Sequence, residues 1–197
     1  MSDNIFIIKV IIIALPVGIR RLVEIKTLKK CPSFKPNKEL SRKHTTKHNK
    51  FLESVKSFFI KRGFSCIDEY YIETDKVRGS IDILCGKNEM IVLIMEIKSY
   101  SPGRATIADY YQILLYFNAL KSDPRFKDKE ISALLVYNYM GEQILVRINY
   151  NDSEVKKFLD SESLRELAAS DYFIPGYWCF WCTKFDCVYN NLKNRIQ

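Results

Sequence analysis

Two carboxylates and an ammonium, Asp82, Glu96 and Lys98, stand in segments whose other residues are mostly Ile, Leu, Val and Met. The stretch 79–99, GSIDILCGKNEMIVLIMEIKS, reads as two β-strands around a short polar turn. Charges in such strands are costly unless they are paired or bound to a metal. Strand alternation puts Glu96 and Lys98 on one face with Val92 and Ile94. Asp82 joins them if the hairpin sets it opposite Ile94, which makes Glu96 its diagonal neighbour at roughly 7–8 Å. That register leaves Lys87-Asn88-Glu89 as a three-residue loop, a common hairpin length. Two converging acidic ligands suit Mg²⁺ or Mn²⁺. Lys98 would then orient or help deprotonate a metal-bound water, or stabilise charge growing on a phosphate. The alternative is a buried ion pair of Lys98 with Glu96, Asp82 being incidental.

The elements that must hold these residues follow from periodicity. Residues 44–64 form an amphipathic helix, with apolar positions 51, 52, 55, 58 and 59 and a stop at Gly63. Strands are expected at 64–74, 79–85 and 90–100, followed by a second long helix over 105–120. After a polar turn come strands 131–139 and 142–150, joined through Met140-Gly141, and a helix over 153–170. This order predicts an α/β fold with a mixed central sheet flanked by helices. Three regions result: an N-terminal segment (1–43), a core (44–150), and a C-terminal helix with a cysteine-rich segment (151–197).

With 47% hydrophobic and 27% charged residues the 197-residue chain has a globular rather than a disordered composition. The formal charge of +8 is regional, since Arg20 to Arg62 holds fourteen Lys/Arg against Glu24, Glu39 and Glu53. Such a surface suits phosphates, although Lys-rich solvated faces also occur. The apolar run 5–19, IFIIKVIIIALPVGI, is interrupted by Lys9 and closed by Pro16. Its clean stretch is shorter than the ~20 residues of a spanning helix, and no signal-peptide pattern is evident, so a strand or short core helix is expected. The chain reads as soluble and intracellular, with no membrane partner.

Cys179, Cys182 and Cys187 form a C-x₂-C-x₄-C group, with Cys31 far upstream. An intracellular chain should not rely on disulfides, so this spacing suggests a metal. With Cys31 the trio makes a four-cysteine site for an Fe–S cluster or Zn²⁺. Cys66 and Cys85 fall in expected strands and read as buried core residues.

Gly79-Ser80-Ile81-Asp82 with Glu96-Ile97-Lys98 resembles the catalytic motif of the PD-(D/E)XK nuclease superfamily. Gln112-Ile-Leu-Leu-Tyr116 resembles the Q-x-x-x-Y of its RecB-like branch, and as i, i+4 neighbours these two share a helix face suited to supporting the site or touching DNA. The resemblance implies a restriction-endonuclease-like fold and metal-dependent hydrolysis of DNA phosphodiesters. Asp82, Glu96 and the carbonyl of Ile97 would be metal ligands, and Lys98 would assist. RecB-like nucleases also use an upstream histidine; His48 lies on the Leu52/Val55/Phe59 helix face and is the preferred candidate, with His44 in reserve and a structural histidine as the alternative. The cysteine order is similar to that of CRISPR-associated RecB-like adaptation nucleases, which implies a [4Fe–4S] cluster on Cys31, Cys179, Cys182 and Cys187 that ties the chain ends together.

The combined expectation is a Mg²⁺- or Mn²⁺-dependent deoxyribonuclease acting on single-stranded DNA or DNA ends. A homo-oligomer or CRISPR-adaptation proteins are the protein partners left open. Tyr110, Tyr111, Trp178 and Trp181 could stack bases but are the kind of residue that more often packs a core. A catalytically silent DNA-binding or assembly protein, and a zinc-stabilised nucleic-acid-binding module, are the competing readings.

Overall fold

The computed structural model describes residues 16–27, 31, 35, 38–99, 106–139, 142–169 and 182–183. Most of the apolar run 5–19, the Met140-Gly141 turn, Trp178, Trp181, Cys179 and Cys187 lie outside these residues. In chain order the elements are β1 (Val17–Gly18), α1 (Ile19–Thr27), α2 (Lys38–Ile60), β2 (Ser65–Glu73), β3 (Val77–Lys87), β4 (Ile91–Lys98) and α3 (Ile107–Ser122). They continue with β5 (Glu130–Tyr139), β6 (Glu142–Ile148), α4 (Asp152–Leu159) and α5 (Glu162–Ala169). The result is an α/β fold with a mixed six-stranded sheet flanked by helices.

β4 is central, antiparallel to β3 and parallel to β5, which explains why IVLIMEIK is almost continuously apolar. One apolar layer lies between the sheet and α2, where Leu52, Val55 and Phe59 meet Ile83, Met95 and Ile97. The other lies between the sheet and α1, α3, α4 and α5, around Leu22, Ile94, Ile113, Leu135 and Phe158. α3 is apolar on nearly all sides because it is enclosed by the sheet, α1 and α4. Its start is fixed by a capping box in which Thr106 accepts from the Asp109 backbone N–H while the Asp109 carboxylate accepts from Thr106.

Several local expectations change. α2 begins at Lys38, ahead of position 44, because residues 38–43 continue a helix-compatible polar sequence. The helix expected over 153–170 is two: α4 stops at Asp160, and Ser161 accepts from the Leu164 N–H to start α5. The hairpin pairs Lys87 with Ile91 and Leu84 with Ile94, so Asp82 is not opposite Ile94. Asn88-Glu89-Met90 is the loop instead of Lys87-Asn88-Glu89, with Asn88 and Glu89 at positive φ (52° and 57°). The three-residue length, and hence the parity of facing residues, is retained. Cys66 and Cys85, expected as separate core thiols, are joined in a disulfide, since the β2–β3 register sets them directly opposite with Cα atoms 4.1 Å apart. No helix among the described residues is long and apolar enough to cross a membrane.

Candidate active site at a fork in the sheet

β3 is longer than any of its partners on one edge. Its start pairs with β1 at Val77 and Arg78, and its end pairs with β4 from Ile83 onward. β2 occupies the opposite edge along both stretches. Residues 79–82 therefore border a gap between β1 and β4. Alternation breaks here: Ile81 packs in the α1/α3 layer, whereas Ile83 packs in the α2 layer. Across the strand pair, Glu69 takes a left-handed conformation (φ 54°) between the Asp68–Ile83 and Tyr70–Ile81 pairs. Asp82 sits at this switch. Its Oδ2 accepts the Ile97 N–H at 2.7 Å, closing the mouth of the fork with a side chain where the ladder stops.

Continuing the observed register by one residue places Asp82 across from Glu96, closer than the diagonal arrangement expected from the sequence. Glu96 and Lys98 are almost fully buried, on the α3 side of β4. Lys98 Nζ donates to Glu96 Oε1 at 2.8 Å and to Gln112 Oε1 at 3.1 Å, and Gln112 Nε2 donates to the same Glu96 oxygen at 2.8 Å. Gln112 thus holds both partners through one amide, which is support for the site rather than a contact reserved for a ligand. Asp109, a residue not anticipated as part of the site, stands 3.5 Å from Lys98 Nζ and is itself buried. The same carboxylate that caps α3 thereby anchors the ammonium. The signal was present as T-x-x-D, but it reads only as a helix start.

Tyr116 lies over the backbone at Gly79. A Cβ there would stand 2.9 Å from Tyr116 Cε1 and 3.0 Å from its hydroxyl, so glycine permits the approach. Burial, reinforced by Glu96, raises the Tyr116 hydroxyl well above the usual range and keeps it neutral. From the other layer α2 brings His48, whose Nε2 is 3.8 Å from Asp82 Oδ1. Burial lowers the His48 pKa, and Glu96 opposes this in part, so the neutral, metal-ligating form is favoured at neutral pH. His44 is exposed. The fork therefore gathers Asp82, Glu96, Lys98, Gln112 and Tyr116, with the backbone of Ile97, and admits His48 from the opposite face.

Among the described residues no three His, Cys, Asp or Glu groups stand preassembled as a cation cage. The donor set nevertheless fits a hard cation on one count. Glu96 Oε2 is buried with no hydrogen-bond partner, while its other oxygen carries two hydrogen bonds. Burial, then repulsion by Glu96, pushes the Asp82 carboxyl up to about 8. A divalent ion beside two carboxyls so placed would favour the ionised form of both.

At the chain ends, Lys35 donates its N–H to Cys182 Sγ at 3.5 Å, and its carbonyl accepts from the Thr183 N–H at 2.8 Å and the Thr183 hydroxyl at 3.1 Å. Cys31 is buried four residues earlier.

No family model and no curated protein sequence matches this chain. Among solved structures it is similar to the crystal structure of SSO0001, with a TM-score of 0.43 and 17% identity over 85% of this chain and 82% of that one.

The raised pKa of Asp82 has a measurable consequence. Between about pH 4 and 8 the folded chain keeps a proton that the unfolded chain has released, so stability falls as pH rises through that window. In EDTA, the thermal midpoint is expected to drop by several degrees from about pH 5 to pH 8, and Asp82→Asn should flatten the decline. Mn²⁺ should raise the midpoint more at the upper pH, where it no longer competes with the proton. Equal pH slopes in wild type and variant would refute the assignment. Separately, Gly79→Ala should cost about 1–3 kcal/mol in urea unfolding through its collision with Tyr116. Combining it with Tyr116→Leu should cost less than the sum of the two changes, whereas strict additivity would mean the rings and backbone do not meet.

Proposed function

We propose that the chain is a metal-dependent deoxyribonuclease of the PD-(D/E)XK type, RecB-like in its helix motif, with a restriction-endonuclease-like fold. The observation that carries this reading is the partnerless buried oxygen of Glu96 beside an Asp82 carboxyl held in the same gap by the Ile97 N–H. A structural ion pair needs neither: Lys98 and Glu96 alone would be satisfied without an aspartate aimed into the same gap. Asp82, Glu96, the Ile97 carbonyl and His48 would hold Mg²⁺ or Mn²⁺. Bound there, the ion supplies Lewis acidity toward a phosphoryl oxygen and a water acidic enough to attack it.

The chain's own residues do the rest. Lys98 Nζ, held by Glu96, Gln112 and Asp109, presents a fixed positive charge where a scissile phosphate would gain negative charge. Gln112 keeps Glu96 and Lys98 in mutual register. Tyr116, itself buried, packs its ring over the Gly79 backbone on the α3 side of the gap. The strongly basic 20–62 segment would track the phosphates of the substrate, read here as single-stranded DNA or DNA ends.

The same reading includes a [4Fe–4S] cluster on Cys31, Cys179, Cys182 and Cys187, with Zn²⁺ as the alternative metal. Its support is the N–H donated by Lys35 to Cys182 Sγ, a bond that stabilises an anionic sulfur, in a segment that also carries buried Cys31. The role is structural, because phosphodiester hydrolysis transfers no electrons.

Labelled single-stranded DNA incubated with Mn²⁺ should be cleaved by the wild type and at least ~100-fold more slowly by Lys98→Ala. Gln112→Ala should lose less, about tenfold, because it acts through its neighbours. If the wild type binds DNA but never cleaves it, a silent binding or assembly protein replaces the enzyme. For the cluster, anaerobically purified protein should be brown, with about four irons per chain that Cys182→Ala loses. Colourless protein with stoichiometric zinc would reject it.

A further inference from the structure

The first half of α2 projects from the sheet, with Lys38, Glu39 and residues 41–47 exposed, and burial begins only at His48 and Phe51. Beside it lies an open depression of about 660 Å³ lined by Lys38, Ser41, Arg42, Thr45 and Thr46 of α2 and by Lys35 and Thr183. None of the described residues that line it is acidic. Glu39, the one acid in this half of the helix, is engaged with Lys43, and neither contributes to the wall. Thr45 and Thr183 already donate their hydroxyls to the carbonyls of Ser41 and Lys35, which leaves the Ser41 and Thr46 hydroxyls to donate alongside the cations.

Ser41, Thr45 and His48 share one face of α2, at i, i+4 and i+7. With 1.5 Å of rise per residue, Arg42 lies about 9 Å along the axis from His48, about three stacked nucleotides at 3.4 Å each.

We infer that this depression is a binding subsite for the phosphates of a single nucleic acid strand, a few nucleotides away from the one positioned at Asp82 and Glu96. The identity of the polymer rests on the nuclease reading. The subsite spans two distant parts of the chain, so the contact of Lys35 with Cys182 and Thr183 shapes it. Integrity of the cysteine segment would therefore govern strand affinity rather than chemistry.

The test measures anisotropy of a fluorescent 15-nucleotide single strand in EDTA, with the full chain. Lys38→Ala/Arg42→Ala is expected to weaken binding at least tenfold and to flatten the log–log salt slope by about 1.4, at ~0.7 per lost phosphate contact. Lys127→Ala/Arg147→Ala removes the same charge from exposed sites outside the 20–62 segment and should change affinity less than twofold. In Mn²⁺ the Lys38/Arg42 variant should show a raised KM and an unchanged kcat. Binding by that variant within twofold of wild type, or equal weakening in both double variants, overturns the subsite. Absence of cleavage by the wild type would overturn the nuclease reading while leaving the binding comparison intact.

Discussion

Glu96 and Lys98 occupy a central strand closed on both sides, and that burial of charge is the constraint around which the molecule is arranged. Removing one partner from a buried ion pair typically costs about 3–5 kcal/mol, since the survivor is left uncompensated. The chain meets this requirement with neighbouring side chains. Gln112 bonds both residues, and Asp109 adds a second carboxylate to the ammonium. α3 must therefore start and seat itself correctly for the site to exist, and the Thr106–Asp109 box links the helix terminus to the lysine directly.

The second requirement is access from both faces of a sheet. A continuous ladder would separate residues of the α2 layer from those of the α3 layer. Here the ladder forks, with β1 and β4 taking different stretches of one edge of β3. Asp82 lies at the division, hydrogen-bonded to the Ile97 backbone instead of to a ladder partner, and His48 reaches it from the far side. The irregularity extends to Glu69, held left-handed across from the same point at a cost of order 1–3 kcal/mol for a non-glycine residue. Strain of this kind persists where surrounding packing over-determines it, and the flanking strand pairs do so here.

The chain's extremities contribute at a distance. Residues 182–183 dock on Lys35, before α2, so a segment from the far end of the sequence helps shape the surface beside that helix. The Cys66–Cys85 bond, by contrast, staples two strands already paired in register and lies in the α2 layer away from the fork. That bond and the contact of Lys35 with Cys182 thus serve different parts of the molecule.

The residues alone determined the element types and the candidate site. Period-2 and period-3.6 patterns located β2 to β6, α2 and α3, and polar residues in otherwise apolar strands singled out Asp82, Glu96 and Lys98. The i, i+4 spacing of Gln112 and Tyr116 identified their shared face. What the pattern left open were facts about pairing between distant segments. A loop of three residues preserves facing parity at either placement, so the hairpin register, the direct juxtaposition of Asp82 with Glu96 and the opposition of Cys66 to Cys85 required the folded sheet. Asp109 looked like a helix cap because its second task depends on where β4 lies beneath α3. The fork itself has no local signature: it arises because two strands compete for one edge of β3, and only their three-dimensional placement sets where one stops and the other begins.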